Sequence, residues 1–222
     1  MLTLSVRLSK LKTRLSLNKM EKKTKIAVFV SGGGTNLQAL LDAEKNGIIK
    51  SGKISLVISN SPSAYALERA KNFNVESLVI TKKQSGSQEA FEKNIKLALK
   101  EREIDLIVLA GFMSILSEDF TKDYDKRIIN VHPSLIPSFC GKGYYGLKVH
   151  EEALKKGVKV TGATVHFVNE IPDGGEIIMQ KAVEVLDGDT PEVLQKRVME
   201  QAEWILLPRA VEKVSNKIAL EK

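Results

Sequence analysis

Short apolar runs alternate with amphipathic segments along most of the chain, and this alternation predicts an order of strands and helices. Runs rich in Ile, Val and Leu, with the length of buried strands, cover residues 26–30, 54–59, 75–80, 105–110 and 127–131. Helical patterns lie between them, at 37–45, 63–73, 88–102 and 117–124. Strands that alternate with helices are typical of βαβ units. We therefore predict an α/β fold with a Rossmann-like, mostly parallel sheet and helices on both faces.

The pattern changes in the second half of the chain. A loop rich in Gly, Pro and Ser covers residues 132–146, and a helix follows at 147–156. Residues 160–168 and 176–185 then alternate apolar and polar positions, which predicts late antiparallel strands with one face in water. A last helix is expected to begin near Thr190, with Pro191 in its first turn, and to end at Pro208.

Local signals also predict where one of these helices begins and where two of them end. Ser63 precedes the helix predicted at 63–73 and is a plausible cap for it, because a serine hydroxyl accepts a hydrogen bond from a free N–H of the first turn. Gly47 and Gly157 each follow a predicted helix, where glycine commonly ends one.

Composition and charge indicate one domain, residues 21–222, preceded by a basic extension, residues 1–20, that we expect to be disordered. Of the formal net charge of +7, residues 1–20 supply five positive charges and no negative one, so the rest of the chain carries about +2. Because the basic charge is concentrated in the extension, and aromatic residues make up only 5% of the chain, nucleic acid is not an expected partner.

The extension has two interpretations. Its Lys, Arg, Ser and Leu content without acids is compatible with an organellar transit segment, whereas an upstream start with Met20 as the first residue is the simpler alternative. No apolar stretch of about 18 residues is present, so no membrane segment is predicted. Cys140 is the single cysteine and suits a reducing compartment. We expect a cytoplasmic protein, or an imported one if residues 1–20 are a transit segment.

The first candidate site is the segment SGGGTN, residues 31–36, between the first strand and the first helix. Glycines let a backbone approach an anion, and the N–H groups of a helix N-terminus favour negative charge. The segment lacks the lysine of a triphosphate-binding loop, and Leu37 stands where a dinucleotide-binding loop has its third glycine. A phosphate monoester is the better ligand, with Thr35 and Asn36 adding side-chain contacts. A purely structural tight turn is the alternative.

The second candidate site begins at the fifth strand. Asn130 and His132 are two residues apart and lie on one face of a strand, so an amide and an imidazole would share a pocket. An amide N–H can stabilise an oxyanion, and an imidazole can transfer a proton near neutral pH. Asp173, in the turn Asp173-Gly174-Gly175, would raise the pKa of His132 if it lay beside it, but spacing alone cannot bring them together.

The remaining histidines and the cysteine have simpler interpretations. We expect His166 to support the structure or the site from behind, His150 to lie at the surface of a polar helix, and Cys140 to be incidental. No metal is predicted, because these side chains lack metal-ligand spacing.

Taken together, SGGGTN, LAGFMSILS, INVHPSLIPSF, GATVHFV and IPDGG resemble the folate-dependent formyltransferases that act on glycinamide ribonucleotide in purine biosynthesis. The resemblance runs from about Lys25 to Pro208. It implies the formyltransferase fold, with 10-formyltetrahydrofolate as formyl donor and the amine of glycinamide ribonucleotide as acceptor. Both expected partners are small molecules, and the resemblance implies no metal.

The resemblance also assigns roles to individual positions. The implied catalytic residues are Asn130, His132 and Asp173. Those implied for the ribonucleotide are Gly34, Thr35, Asn36 and Glu203. Those implied for the folate are Met113, Ser114, Ile115, Leu116 and Gln88. Gln88 and Ser114 depart from the family pattern, because some members have arginine there, so we expect a weaker affinity for the glutamate tail of the folate.

Other functions stay open at this point. A related folate hydrolase, or a formyltransferase acting on another amine, would share most of these motifs. A non-catalytic phosphate-binding domain would explain SGGGTN but would leave Asn130, His132 and Asp173 without a role. The expected oligomeric state is a monomer or a homodimer.

Overall fold

A seven-stranded sheet forms the centre of the structure, a computed structural model that describes residues 23–222. The basic extension predicted at residues 1–20 lies outside the described residues. The strand order is β3-β2-β1-β4-β5-β6-β7. The strands are β1 (Thr24–Val30), β2 (Gly52–Ser59), β3 (Glu76–Val79), β4 (Leu106–Leu109), β5 (Ile128–His132), β6 (Val160–Phe167) and β7 (Ile177–Glu184). β1 to β5 pair in parallel, whereas β6 and β7 are antiparallel, so the predicted fold class is confirmed.

Helices cover both faces of the sheet. They are α1 (Thr35–Lys45), α2 (Ala66–Asn72), α3 (Lys82–Ser85), α4 (Gln88–Glu101), α5 (Glu118–Asp123), α6 (Leu147–Lys156), α7 (Pro191–Val198) and α8 (Trp204–Glu221), with a π-helical turn, Met199–Glu203, between the last two. Apolar residues of α1, α2, α7 and α8 pack on one face of the sheet, and residues of α4 and α5 pack on the other. Burial on both faces explains why the parallel strands are continuous apolar runs rather than alternating ones.

The strand order reverses between β1 and β4, and this places three connections at one edge of the sheet. In such sheets, ligands bind outside the carboxyl ends of the strands, at the point where the order changes. The connections after β1, β4 and β5 all leave from that edge. Two of them touch directly, because the backbone N–H of Met113 donates to the hydroxyl of Ser31 over 2.8 Å.

The prediction that the last helix ends at Pro208 is wrong. Pro208 lies inside α8, which continues to Glu221. A proline inside a helix costs about 3 kcal/mol, because it lacks the N–H and its ring clashes with the preceding turn. Residues beyond it are buried against the core, among them Val211, Val214 and Ile218. Burial of this apolar stripe outweighs the local penalty, which a sequence rule for helix ends does not include.

Other boundaries differ in smaller ways. The second helix begins at Ala66 rather than at residue 63, and Ser63 does not cap it, since its hydroxyl contacts that of Ser61 at 3.1 Å. The Thr190 hydroxyl does accept a hydrogen bond from Val193 N–H, so the cap predicted for the last helical segment is confirmed. The fifth strand includes His132, which therefore belongs to the sheet rather than to the loop.

Candidate active site

Asn130 and His132 lie on the same face of β5 and pair across the sheet with β6. Asn130 is opposite His166, and His132 is opposite Thr164. The alternation of a strand makes this a consequence of sequence, because positions 130, 132, 164 and 166 all point to one side. His132 is buried and Asn130 is partly exposed, so the pair lies at the margin of the core.

Asp173 reaches this face from a tight turn between β6 and β7. Its backbone has a φ of 57°, and Gly174 N–H donates to the carbonyl of Ile171 over 2.9 Å. At Gly175 any Cβ would overlap the carbonyl of Phe167, so this position requires glycine. The two carboxylate oxygens point to different histidines: Oδ2 is 3.4 Å from Nδ1 of His132, and Oδ1 is 3.5 Å from Nε2 of His166.

The loop after β5 supplies the other neighbours of this cluster through its backbone. The carbonyl oxygen of Phe139 is 2.9 Å from Nε2 of His132. The N–H of Gly141 donates to Oδ2 of Asp173 over 2.8 Å. A carbonyl only accepts, so Nε2 of His132 carries a proton in this arrangement. Both ring nitrogens of His132 are thereby engaged by the protein.

The pKa of His132 lies below its usual value, because burial disfavours the charged imidazolium more strongly than its neighbours favour it. Asp173 and the Phe139 carbonyl raise this pKa, and the charge of His166 lowers it further. The net direction is opposite to the sequence expectation, which included Asp173 but not the burial of the ring.

The pKa of Asp173 lies below its usual value. Burial would raise it, but the combined effect of the hydrogen bond with His166, the charge of His132 and the N–H of Gly141 is larger. Asp173 is therefore an ionised acceptor near neutral pH. An ionised carboxylate between two imidazoles can hold both rings and stabilise whichever one is protonated.

His166 links Asp173 to Asn130. Its Nδ1 is 2.7 Å from the carbonyl of Phe167 and so carries a proton. Its Nε2 is 3.3 Å from Nδ2 of Asn130. In the neutral ring Nε2 accepts a hydrogen bond from Asn130, and in the charged ring it donates to Asp173. The prediction that His166 supports the site from behind agrees with this placement.

Hydrogen bonds fix the first part of the loop after β5. Thr164 donates to the carbonyl of Ser134 over 2.7 Å and accepts from Ile136 N–H at 3.1 Å. Gln180 donates to the carbonyl of Ile136 over 3.0 Å. Beyond residue 138, positive φ angles follow one another closely, at Phe139, Gly141, Gly143 and Gly146. The segment 139–146, called here the flap, thus follows a part of the loop that hydrogen bonds hold in place, and it contains three glycines.

The predicted ribonucleotide residues are brought together at the N-terminus of α1. Gly34 adopts a left-handed conformation with a φ of 71° and precedes the helix. Asn36 Nδ2 donates to Oε2 of Glu203 over 2.7 Å, so the π-helical turn approaches the glycine segment. Burial raises the pKa of Glu203, and the hydrogen bond with Asn36 opposes that shift. Thr35 contacts Met199 of the same turn at 4.0 Å.

Three of the five predicted folate residues line a cavity of about 130 Å³ beside the cluster. Ser114, Ile115 and Leu116 share its walls with Asn130 and Asp173, and Phe112, Val168 and Ile171 add apolar surface. Met113 does not line this cavity and is 57% exposed. Gln88 also lies outside it but contacts its rim, since Nε2 donates to the carbonyl of Ile115 over 3.1 Å.

The expectation that His150 lies at the surface is wrong. It is fully buried on the inner side of α6, and neither ring nitrogen has a hydrogen-bond partner among residues 23–222. Burial lowers its pKa to about 4, with a smaller contribution from the charge of His132. Charged residues such as Glu151 and Lys155 give this helix a polar pattern in the sequence. His150 nevertheless lies on its buried face, with Val149 and Ala153.

Three contributors to the site were not predicted. The carbonyl of Phe139 and the N–H of Gly141 are backbone groups, which no residue type signals. Arg69 contacts the glycine segment from α2, and the only sequence signal for this contact is its position in the helix that follows the second strand.

Within residues 23–222, no group of three or more His, Cys, Asp or Glu side chains could hold a metal, and no helix is long and apolar enough to cross a membrane.

An Asn-His-Asp cluster at the carboxyl edge of this sheet, between an apolar cavity and a glycine-rich helix start, suits a transferase that acts on a charged small molecule. The sequence profile described as "Formyl transferase" matches residues 24–211, so the chain belongs to the formyl transferase family. The crystal structure of glycinamide ribonucleotide transformylase 1 from Symbiobacterium toebii is similar, with a TM-score of 0.82, 39% identity and coverage of 88% of this chain and 89% of that one.

Curated relatives point the same way. The chloroplastic phosphoribosylglycinamide formyltransferase of Arabidopsis thaliana is 37% identical over 181 residues, covering 81% of this chain and 62% of that protein. The human trifunctional purine biosynthetic protein adenosine-3 is 42% identical over 196 residues, which are 88% of this chain but 19% of that protein. The chain thus spans about a fifth of the length of this relative. The predicted fold, the predicted enzyme class and the resemblance to glycinamide ribonucleotide formyltransferases are confirmed.

Proposed function

We propose that this chain transfers a formyl group from 10-formyltetrahydrofolate to the primary amine of glycinamide ribonucleotide, a step of purine biosynthesis. The observation that carries the proposal is the contact between Asp173 and His132, whose Oδ2 and Nδ1 are 3.4 Å apart. His132 lies on the face of β5 that also presents Asn130. This cluster adjoins the cavity lined by Ser114, Ile115 and Leu116.

Attack of an amine on a formyl carbon moves negative charge to the formyl oxygen and leaves a proton on the nitrogen. The amide of Asn130 and an N–H of His132 are donors of the kind that stabilise such an oxyanion. Asp173 would hold the His132 ring and favour its protonated form as charge develops. The amine loses its proton to water, the bond between the formyl carbon and the donor nitrogen breaks, and that nitrogen takes up a proton.

The Phe139 carbonyl bears directly on this mechanism. It takes the N–H of His132 that the reaction needs, over 2.9 Å. We infer that a substrate oxygen replaces this carbonyl when the flap moves, while the base of the loop stays braced by Thr164. The flap glycines permit this movement, because they adopt positive φ angles at little cost.

The phosphate of the ribonucleotide would bind at the start of α1, where N–H groups and the helix dipole favour an anion. Gly34, Thr35 and Asn36 supply that position, and the carboxylate of Glu203, next to Asn36, is a hydrogen-bond acceptor for a ribose hydroxyl. The apolar walls of the cavity suit a flat ring system, and its polar end at Asn130 and Asp173 adjoins the reacting groups.

The glutamate tail of the folate would leave the cavity beside Gln88, which contacts its rim at Ile115. Gln88 offers a hydrogen bond rather than the charge of an arginine, and its amide is already shared between Glu92 and the carbonyl of Ile115. We therefore expect a modest contribution of the tail to binding.

Several expectations from the sequence stay predictions. They are a cytoplasmic location, import through residues 1–20, a single domain over 21–222, and a monomeric or homodimeric state.

The proposal is tested by mixing purified protein with glycinamide ribonucleotide and a 10-formyl folate and following the deformylated folate by absorbance. His132→Ala and Asp173→Asn are each expected to lower kcat by about 10²–10⁴-fold, the usual contribution of acid–base groups. Asp187→Asn is the matched control, since its side chain is 98% exposed and pairs with Lys159 at the surface, at 3.4 Å.

Each outcome has a distinct meaning. Turnover that depends on the amine and collapses in both variants, but not in the control, supports the proposed reaction. Folate release without amine would show a hydrolase instead. Turnover with another amine but not with the ribonucleotide would change the acceptor. Ribonucleotide binding without any turnover would leave only a phosphate-binding domain.

A further inference from the structure

Arg69 of α2 contacts the glycine-rich segment that leads into α1. Its Nε donates to the carbonyl of Gly33 over 2.8 Å. Its Nη1 donates to Oε1 of Gln38 on α1 over 2.9 Å. The guanidinium carbon lies 5.0 Å from the centre of the Tyr65 ring, within the range of a cation–π contact. Three contacts in different directions hold this half-buried side chain in one place.

The glycine segment itself carries no positive charge. Residues 31–38, SGGGTNLQ, contain neither Lys nor Arg. A phosphate monoester has a charge of about −1.5 to −2 near neutral pH, whereas a helix N-terminus offers roughly half a positive charge. A site for such a ligand therefore benefits from a further cation close by. Arg69 is a cation that contacts this segment directly.

The contacts with α2 also set the direction of the backbone N–H groups. Ala66 N–H donates to the carbonyl of Gly32 over 3.1 Å, and Arg69 donates to that of Gly33. In a trans peptide the C=O and the next N–H point in opposite directions. Because both carbonyls turn toward α2, the N–H groups of Gly33 and Gly34 turn away from it, to the side on which an anion can approach.

The close packing of Gly34 against α2 keeps this arrangement tight. A Cβ at Gly34 would lie 2.6 Å from Cβ of Ala66, and the backbone there has a φ of 71°. The hydrogen bond from Arg69 also polarises the peptide group that joins Gly33 to Gly34. A carbonyl that accepts a charged hydrogen bond makes the N–H of the same peptide a stronger donor.

We infer that Arg69 is a positioning residue of the phosphate site: it orients and polarises the Gly33–Gly34 peptide and adds the charge that the segment lacks. This inference rests on the proposed function, since it concerns the phosphate of the same ribonucleotide. It assigns to α2 a part in phosphate binding that the motif SGGGTN alone does not contain. Lysine is an imperfect replacement, because it lacks the planar fork that reaches Gly33 and Gln38 at once.

The test compares Arg69→Met and Arg69→Lys with Lys71→Met, a control on the same helix whose exposed side chain pairs with Glu68, at 3.9 Å. The measurements are kcat, the KM of each substrate and the inhibition constant of inorganic phosphate. Arg69→Met is expected to raise the ribonucleotide KM and the phosphate inhibition constant about tenfold, the effect of one charge-assisted hydrogen bond, with kcat and the folate KM unchanged. Arg69→Lys should fall between, and Lys71→Met should match the parent.

A dephosphorylated acceptor, glycinamide riboside, separates this role from general support of the fold. If Arg69 acts on the phosphate, Arg69→Met loses its effect when the acceptor has no phosphate. An equal loss with both acceptors, or unchanged constants with the ribonucleotide, would overturn the inference. If Arg69→Met does not fold, as judged by circular dichroism, the comparison is made with Arg69→Lys and Arg69→Gln. A parent protein that is active while Arg69 has no effect leaves the proposed function intact, whereas an inactive parent that binds no phosphate removes the proposed function itself.

Discussion

Asn130 and His166 face each other across strands β5 and β6, with Nδ2 of the amide 3.3 Å from Nε2 of the imidazole. This contact sets the orientation of the Asn130 amide, because the proton on Nδ1 of His166 leaves Nε2 as an acceptor in the neutral ring. The amide that the proposed reaction needs as an oxyanion donor is thus held by an imidazole that also lines the cavity beside the cluster.

His166→Leu is expected to lower kcat about tenfold with little change in the KM of the ribonucleotide. Leucine removes the acceptor for Asn130 and the neighbour of Asp173, and a misplaced oxyanion donor commonly costs this much or more. Steady-state kinetics measure the effect. His166→Gln, which offers an amide oxygen in place of the ring nitrogen, should recover part of the rate. Full activity in His166→Leu would show that Asn130 needs no such partner.

Phe139 holds its carbonyl against His132 only while its backbone stays at a φ of 49°. The left-handed conformation costs an ordinary L-residue about 1–2 kcal/mol and a β-branched residue more, whereas asparagine tolerates it. In Phe139→Val the flap should therefore release His132, and the reaction of His132 with diethylpyrocarbonate, followed by peptide mass spectrometry, should be faster. Phe139→Asn loses the same aromatic ring and is the control.

The two Phe139 variants separate the backbone from the side chain. If Phe139→Asn reacts as slowly as the parent, the hydrogen bond to His132 depends on the backbone conformation, as we expect. If His132 reacts equally faster in both variants, the aromatic ring of Phe139 protects it instead of the backbone. The mechanism would then not require a substrate oxygen to replace the Phe139 carbonyl.

Glu203 is buried, and its pKa lies above the usual value for that reason. A carboxyl group with a raised pKa stabilises the fold least at high pH: its contribution falls as pH rises from the unfolded value of 4.5 through the folded value. Glu203→Gln should therefore need more urea to unfold near neutral pH, and the gain should vanish near pH 4. The same change should raise the ribonucleotide KM, a trade of function against stability.

Glu200→Gln is the control for Glu203, because Glu200 belongs to the same π-helical turn but lies exposed, 3.9 Å from Lys196. It should change neither the urea midpoint nor the KM. A lower urea midpoint for Glu203→Gln at neutral pH would mean that the hydrogen bond from Asn36 more than offsets the cost of burying the carboxylate.

His150 makes the stability of the fold depend on pH. Its folded pKa of about 4 is below the value of 6.5 that is usual for an unfolded chain, so the unfolded chain binds more protons between these two values. The contribution of neutral His150 to the free energy of unfolding is complete above pH 6.5. As pH falls toward 4 this contribution is lost, which lowers the free energy of unfolding by up to about 3 kcal/mol. Urea unfolding at a series of pH values measures the loss.

His150→Asn is expected to reduce this pH dependence, because asparagine does not titrate. His132 shifts in the same direction and remains in the variant, so a part of the dependence should persist. Parallel curves for the parent and His150→Asn would show that His150 is charged in the folded state or exchanges with solvent there.

Much of this fold follows from local patterns in the sequence. Apolar runs the length of a strand, separated by helical periodicity, predict parallel βαβ units, because strands covered on both faces need no polar residues. The alternation of a strand likewise places Asn130 and His132 on one face. The glycines after β1 mark a close approach of backbone to an anion, since only glycine makes the positive φ at Gly34 inexpensive.

Contacts between segments that are far apart in the sequence were decided by the tertiary structure. Asp173 reaches His132 only because β5 and β6 pair and the turn after β6 folds back, and no spacing along the chain contains that distance. The burial of His150 and the helix beyond Pro208 depend on what packs against them. The Phe139 carbonyl and the Gly141 N–H are backbone groups common to nearly every residue type, so their positions follow from the path of the loop alone. Sequence thus determined the elements and the faces their side chains share, and packing across the sheet determined the distances and the charge states.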